Sequence, residues 1–170
     1  GTILTRLGEN LTRIEEAVEI RDHYLDVLAR VQAADLDAHI SVKPTQLGYD
    51  QDPEVCFSYC VTLLDRCEAV KNFLWLDMES SPYVDPTIDL FRQLRQRSSR
   101  VGIALQAYLY RTPKDLERLL PLRPTIRLVK GAYAEPAEVA FPAKRDTDAQ
   151  YVSLAETMLT ASASGGALPV

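Results

Sequence analysis

The sequence predicts an α/β fold, a parallel sheet covered by helices and built as a partial (βα)8 barrel of TIM type, about strands one to five plus the start of a sixth. Three observations carry this reading. Short β-type runs alternate with longer helical-period segments along the whole chain. The runs are apolar almost throughout, as strands covered on both faces must be. No G-x-G-x-x-G or Walker sequence follows any of them, so the phosphate loop usual in a doubly wound sheet is missing. A barrel needs no such loop, because it collects its site from the C-terminal ends of many strands.

The elements follow in order. Thr2 to Leu7 reads as the first strand, and Thr12 with Glu15 three residues later reads as a capping box. The helix behind that box carries Ile14, Ala17, Val18, Leu25, Leu28 and Val31 on one side. His39 to Lys43 is the second strand, followed by a turn at Gly48 and a helix opened by Asp52 and Pro53. A carboxylate suits the free amides there, and proline suits the first helical turn. Phe73 to Asp77 is the third strand; Asp85-Pro86 then starts a helix carrying Ile88, Phe91 and Leu94. Val101 to Tyr108 is the fourth, and Thr112-Pro113 starts a helix carrying Leu116, Leu119 and Leu120. Thr125 to Val129 is the fifth, followed by a long loop and a helix with Tyr151, Leu154, Ala155 and Met158. Ala167 to Val170 reads as the beginning of a sixth.

Composition narrows the function classes. With 170 residues, 46% of them hydrophobic and 25% charged, the chain has the makings of one sizeable core. No apolar run approaches the roughly 20 residues of a membrane helix, and no basic-then-apolar leader opens the sequence, so it reads as soluble and unexported. A net charge of −5 with dispersed lysines and arginines offers no basic patch for nucleic acid or an anionic membrane. Cys56, Cys60 and Cys67 fall on one helix face without a Cys-x-x-Cys pair or a neighbouring histidine, and read as core residues in a reducing compartment. The chain starts at Gly1 and stops at the apolar Ala167-Leu168-Pro169-Val170. Set against the roughly 250 residues of a barrel, residues 1–170 are expected to be a single incomplete barrel domain, truncated at the C-terminus.

Polar groups stand at four consecutive strand ends: Lys43, Asp77, Gln106, and Arg127 with Lys130. In a parallel barrel such ends converge on one mouth. Arg127 lies inside its strand, so one face there carries a charge that needs a partner to offset desolvation. The set holds one carboxylate, two lysines, an arginine and an amide, with no Ser-His or Cys-His pairing and no metal-ligand spacing. It suits an anionic small substrate or an electron-rich cofactor. The Gly131 and Ala132 backbone after Lys130 could also donate to phosphate.

Four motifs carry a resemblance: Ile40-Ser41-Val42-Lys43-Pro44-Thr45-Gln46-Leu47-Gly48, Trp75-Leu76-Asp77-Met78-Glu79-Ser80, Leu105-Gln106-Ala107-Tyr108-Leu109-Tyr110-Arg111 and Ile126-Arg127-Leu128-Val129-Lys130-Gly131-Ala132-Tyr133. In this order they resemble the successive strand-end motifs of proline dehydrogenase, most closely the monofunctional bacterial type. The resemblance implies an FAD-dependent enzyme on a distorted barrel that oxidises L-proline to Δ1-pyrroline-5-carboxylate, the first step of proline catabolism, and passes the electrons to a membrane quinone. By position it implies that Lys43 pairs with the substrate carboxylate, that Asp77 stands in the substrate pocket beside the flavin, and that Met78 is a cofactor contact. Gln106 resembles the glutamine at the isoalloxazine edge, and Arg127 the catalytic arginine near flavin N5. Lys130, Gly131 and Ala132 resemble the segment that contacts the cofactor, and Glu9 the glutamate that gates the pocket. A pair of arginines and a glutamate on the family's last barrel helix fall outside these 170 residues, so the piece alone is expected to be inactive.

The protein is expected to be cytoplasmic, and its charge and residue spacing predict no nucleic-acid partner and no metal. Any peripheral contact with the inner face of the bacterial membrane is not visible in this segment. Two other readings stay open. One is a Schiff-base aldolase on the same barrel with Lys130 or Lys43 as the amine; the other is a non-catalytic barrel remnant that binds a partner through an unclosed edge.

Overall fold

The computed structural model describes residues 1–8, 11–163 and 168–169. The chain divides into two compact units, Gly1–Asp77 with Asp89–Val101, and Met78–Ile88 with Gly102–Val170.

The first unit holds β1 (Thr2–Thr5), α1 (Ile14–Ala33), β2 (Ala38–Val42), α2 (Pro53–Ala69) and β3 (Leu74–Leu76). Its strands pair in parallel and in chain order, with Thr5 opposite Ser41, Ile40 opposite Leu74 and Val42 opposite Leu76. Each helix lies on the strands through one stripe. On α1 the stripe is Ala17, Ile20, Tyr24, Leu28 and Val31, at the three- and four-residue spacing that keeps side chains on one face. On α2 it is Cys56, Cys60, Leu63, Leu64 and Cys67, which confirms that the three thiols are free, buried core residues. Asp52 caps α2 as its chemistry requires, its Oδ1 accepting from the Glu54 and Val55 amides at 2.9 and 3.2 Å. Gly48 closes the turn that leads there, with φ at +86°, and a Cβ would meet the Ile14 side chain at 2.5 Å.

The second unit carries β5 (Thr125–Val129), paired in parallel with residues 102–106 of β4 (Val101–Gln106), and α4 (Thr112–Leu119) between them. It continues through α5 (Lys144–Ala163) to β6 (Leu168–Pro169), which pairs with Thr125 and Ile126. Residues of α3 (Val84–Arg97) belong to both units. All six residues of β4 are buried, as expected for a parallel strand covered on both faces. Leu116 and Leu119 of α4 and Leu154 and Met158 of α5 supply the apolar cover.

Several expectations change. The second strand is Ala38–Val42 and the third Leu74–Leu76, each without its charged C-terminal residue, and α1 buries Ile20 and Tyr24 where Val18 and Leu25 were expected. The first strand ends at Thr5, where the Arg6 amide turns to the Tyr24 hydroxyl at 3.0 Å, and the fourth at Gln106; the Ala107 and Tyr108 amides still reach Val129 O and Lys130 O at 2.7 and 2.8 Å before Leu109 N turns back to Gln106 O. The capping box does not form. Helix α1 starts one residue later with Arg13 at its N-cap, and the Thr12 hydroxyl reaches Glu16 at 2.9 Å rather than serving Glu15. The sixth strand is described only at Leu168 and Pro169; Ala167 and Val170 lie outside the described residues.

Candidate active site

Period-two alternation puts His39, Ser41 and Lys43 on one face of the β2 segment and Phe73, Trp75 and Asp77 on the matching face of the β3 segment. With Ser41 opposite Trp75 and Val42 opposite Leu76, Lys43 comes level with Asp77 just past the strand ends. The N-terminal end of this face is aromatic: the His39 and Phe73 rings are 5.6 Å apart, those of Phe73 and Trp75 4.9 Å, and Trp75 Nε1 donates to His39 Nδ1 at 3.4 Å. Its C-terminal end is charged. Lys43 Nζ stands 3.1 Å from Asp77 Oδ2 and Ser41 Oγ donates to Asp77 Oδ1 at 2.5 Å, while the two ionic side chains are only 16% and 13% exposed. The Asp77 backbone amide donates to Val42 O at 2.9 Å, which anchors the carboxylate to the neighbouring strand.

Two further residues brace this cluster. Tyr24, on the buried stripe of α1, donates its hydroxyl to Ser41 O at 2.9 Å and accepts from the Arg6 amide at 3.0 Å. Burial pushes the Tyr24 phenol above its ordinary pKa, so it stays a neutral donor. Gln46 Nε2 donates to Arg6 O at 2.7 Å and also holds Gly8 O. The chain leaving β1 is thereby fastened beside the strand ends. Glu9, the gate residue of the sequence reading, lies outside the described residues.

In the second unit Met78 and Gln106 are buried, and Gln106 Nε2 donates to Glu79 O at 2.9 Å. The Thr112 hydroxyl donates to Gln106 O at 2.5 Å, so the strand end is fixed from both sides. Arg127 is half-buried on β5 opposite Ala104, and Gly102 precedes it on the same face of β4. Those two small residues leave room along the strand for a long guanidinium side chain. Lys130 points elsewhere: it is half-exposed, and its Nζ donates to Asp148 Oδ1 on α5 at 2.5 Å. That pairing raises the Lys130 pKa, and Lys130 and Lys144 together lower that of Asp148. Gly131 has φ at +129°, and a Cβ there would stand 2.4 to 2.6 Å from the Tyr108 ring. The missing side chain therefore serves the packing of Tyr108 rather than leaving open space. Ala132 is exposed.

Sequence reading passed over Ser41, Tyr24 and Gln46. Ser41 was recoverable, since it precedes Lys43 by two and must share its face. Tyr24 and Gln46 left no such signal, because they reach the site from a helix stripe and a short turn.

A family model described as proline dehydrogenase matches residues 1–167. The chain belongs to the proline dehydrogenase family. Proline dehydrogenase 2 of Bacillus subtilis (strain 168) is 37% identical over 153 residues, covering 90% of this chain and 50% of the relative. Proline dehydrogenase of Deinococcus radiodurans is 35% identical over 153 residues, covering 87% and 49%. The chain thus spans about half the length of the curated relatives it matches. Among solved structures, proline utilization A (PutA) from Bdellovibrio bacteriovorus, described as inactivated by N-propargylglycine, superposes with a TM-score of 0.83 at 22% identity over 94% of this chain and 21% of that one. A Bradyrhizobium japonicum PutA mutant gives 0.82 at the same identity. These likenesses show the fold, a partial (βα)8 barrel, as the alternation of strands and helices implied. Among the described residues, this proline dehydrogenase family chain has no group of three His, Cys, Asp or Glu that could hold a metal ion, and no helix long and apolar enough to cross a membrane.

Proposed function

We propose that the protein to which this chain belongs oxidises L-proline to Δ1-pyrroline-5-carboxylate with FAD as its cofactor and a membrane quinone as electron acceptor. The observation that carries the reading is the enclosed Lys43–Asp77–Ser41 cluster at the C-terminal ends of β2 and β3, in a chain of the proline dehydrogenase family. An ammonium has three donors and Asp77 takes one, so Lys43 keeps donors for a substrate carboxylate. Its low exposure makes that attraction stronger than it would be in water. Asp77, held by Ser41 and by its own backbone, aims the ammonium and balances its charge when no substrate is present.

The second unit's donor set fits a flavin. Arg127 offers a fixed positive charge, Gln106 a buried amide, and the exposed backbone at Ala132 a donor for phosphate. When bound, FAD would accept the hydride lost by the substrate carbon next to nitrogen. Arg127 would favour the negative charge that hydride transfer brings, since a preorganised cation needs no reorganisation as charge develops. Met78 would shape the pocket wall, and residues 130–132 would hold the cofactor through their backbone, Lys130 being engaged with Asp148.

The aldolase reading loses ground at Lys130. A Schiff-base lysine needs a depressed pKa, and Asp148 raises that of Lys130. We further propose that the 170 residues by themselves do not turn over proline, since they span about half the length of the relatives. Placement in the cytoplasm, peripheral to the inner face of the membrane, belongs to the same proposal.

The test is proline-dependent reduction of an artificial acceptor by the full-length protein, together with the visible spectrum of what it binds. Flavin absorbance, and turnover lost in R127M and weakened at the KM level in K43M, are expected. A colourless protein whose lysine is trapped by borohydride with a carbonyl substrate would replace the reading with the aldolase. A full-length protein that neither binds flavin nor turns over proline would leave the non-catalytic remnant.

A further inference from the structure

The 130–143 loop of the second unit follows the strand end that bears Arg127. Its later half is tied down by the chain around Tyr110: Tyr110 N donates to Val139 O at 3.0 Å, Phe141 N to Tyr108 O at 2.9 Å, and the Tyr110 and Phe141 rings meet edge-on at 4.6 Å. Its start is held by Tyr108 N donating to Lys130 O at 2.8 Å, and its first half has a second, more distant anchor. Glu135 spreads its carboxylate over one residue of the opposite turn, with Ser81 N donating to Oε1 at 2.6 Å and Ser81 Oγ donating to Oε2 at 2.7 Å.

Ser81 opens the short turn Ser81–Tyr83 that runs straight into α3. The first amides of a helical segment have no partner inside it, and a carboxylate placed there is favoured by the aligned peptide dipoles. Glu135 fills that position from another loop, with both oxygens used. It thereby links two segments of this unit. One is residues 130–132; the other is the stretch holding Met78 and Glu79, whose carbonyl receives the Gln106 amide.

We infer that Glu135 is a positioning residue: its two-point grip on Ser81 sets where residues 130–132 stand relative to Met78 and Gln106, and so governs how tightly the cofactor is held there. The inference rests on the flavin reading above and adds a residue to it. A charge-assisted pair of hydrogen bonds is stronger than a neutral pair and fixes orientation as well as distance, which is what a split binding surface requires.

The experiment uses the full-length protein as wild type, E135A, E135Q and S81A. FAD affinity is read by flavin fluorescence, the visible absorption bands report the flavin environment, and amide hydrogen exchange is followed by peptide. E135A is expected to weaken FAD binding about tenfold or more, shift the flavin bands, and raise exchange in peptides 78–88 and 130–143 while leaving α5 protected. E135Q keeps an acceptor for the Ser81 amide and is expected to recover most of the affinity; S81A, which loses only the hydroxyl bond, should fall between. Wild-type affinity and unchanged exchange in E135A overturn the inference. So does exchange that rises throughout the unit with no rescue by E135Q, since that marks a general loss of stability. A wild-type protein that binds no flavin removes the reading beneath it, an outcome distinct from either.

Discussion

Removing one charge of the Lys43–Asp77 pair should cost more than removing both. The two groups are 3.1 Å apart and 16% and 13% exposed. At an effective dielectric of about 20, attraction across that distance is about 5 kcal/mol, most of it offset by the desolvation of the two ions. A lone survivor keeps the desolvation cost and loses the attraction. K43M preserves the apolar stem of the lysine, and D77N preserves the shape and an acceptor for the Ser41 hydroxyl, so each removes little besides the charge. Each single substitution is expected to destabilise by about 2–3 kcal/mol, and the double substitution by no more than either, which is a coupling of about 2 kcal/mol or more. The assay is denaturant unfolding of the four proteins at pH 7, with midpoints and slopes compared. Single costs that simply add, within about 0.5 kcal/mol, would refute the argument, because they would mean that water already screens the pair.

Other consequences can be measured separately. G131A places a Cβ within 2.6 Å of the Tyr108 ring at a φ of +129°, so it should destabilise by at least about 1–3 kcal/mol, and Y108A in the same chain should relieve the clash but not the backbone strain. His39 is held below its ordinary pKa of 6.5 chiefly by burial, against the opposing pull of Asp37. The unfolded state therefore takes up its proton first as pH falls. The contribution of the neutral ring is present above about pH 6.5 and declines as pH drops towards the folded value. Trp75 is the sole tryptophan and donates to that ring, so its emission should shift over the same acid window, and H39N, which offers an acceptor that does not titrate, should abolish the shift. Burial pushes Cys67 up to about 12, the hydrogen bond with Cys56 and then burial raise Cys60 well above its ordinary value, and all three thiols are buried, so a thiol reagent at pH 8 should label none of the three cysteines in the native protein and all three in denaturant.

Much of the fold was legible because its elements are local. Thr125–Val129 appears as read, and Asp52-Pro53 opens α2 because a carboxylate and a proline meet needs that exist within one turn. The first helix shows the limit. A capping box at Thr12 and Glu15 is chemically sound, yet the helix takes Arg13 as its start and the hydroxyl finds Glu16. The strand-end polar residues were visible as types and positions, but their partners were not. Lys43 could have been a lone cation and is bound to Asp77, while Lys130 could have faced a ligand and instead holds Asp148.

Gly131 draws the boundary most sharply. As one letter after a lysine it suggested backbone left open for a ligand; in space its bare Cα lies against the Tyr108 ring. From the sequence alone came the order of strands and helices, the alternation of faces along each strand, and the motifs that mark the family, all consequences of period and nearest-neighbour chemistry. Which charges neutralise one another, and which loop carboxylate reaches which turn, only the tertiary structure decided. Those contacts join residues tens of positions apart, 34 for Lys43 and Asp77 and 54 for Ser81 and Glu135. Strand register and loop path set them, and neither leaves a local trace in the chain.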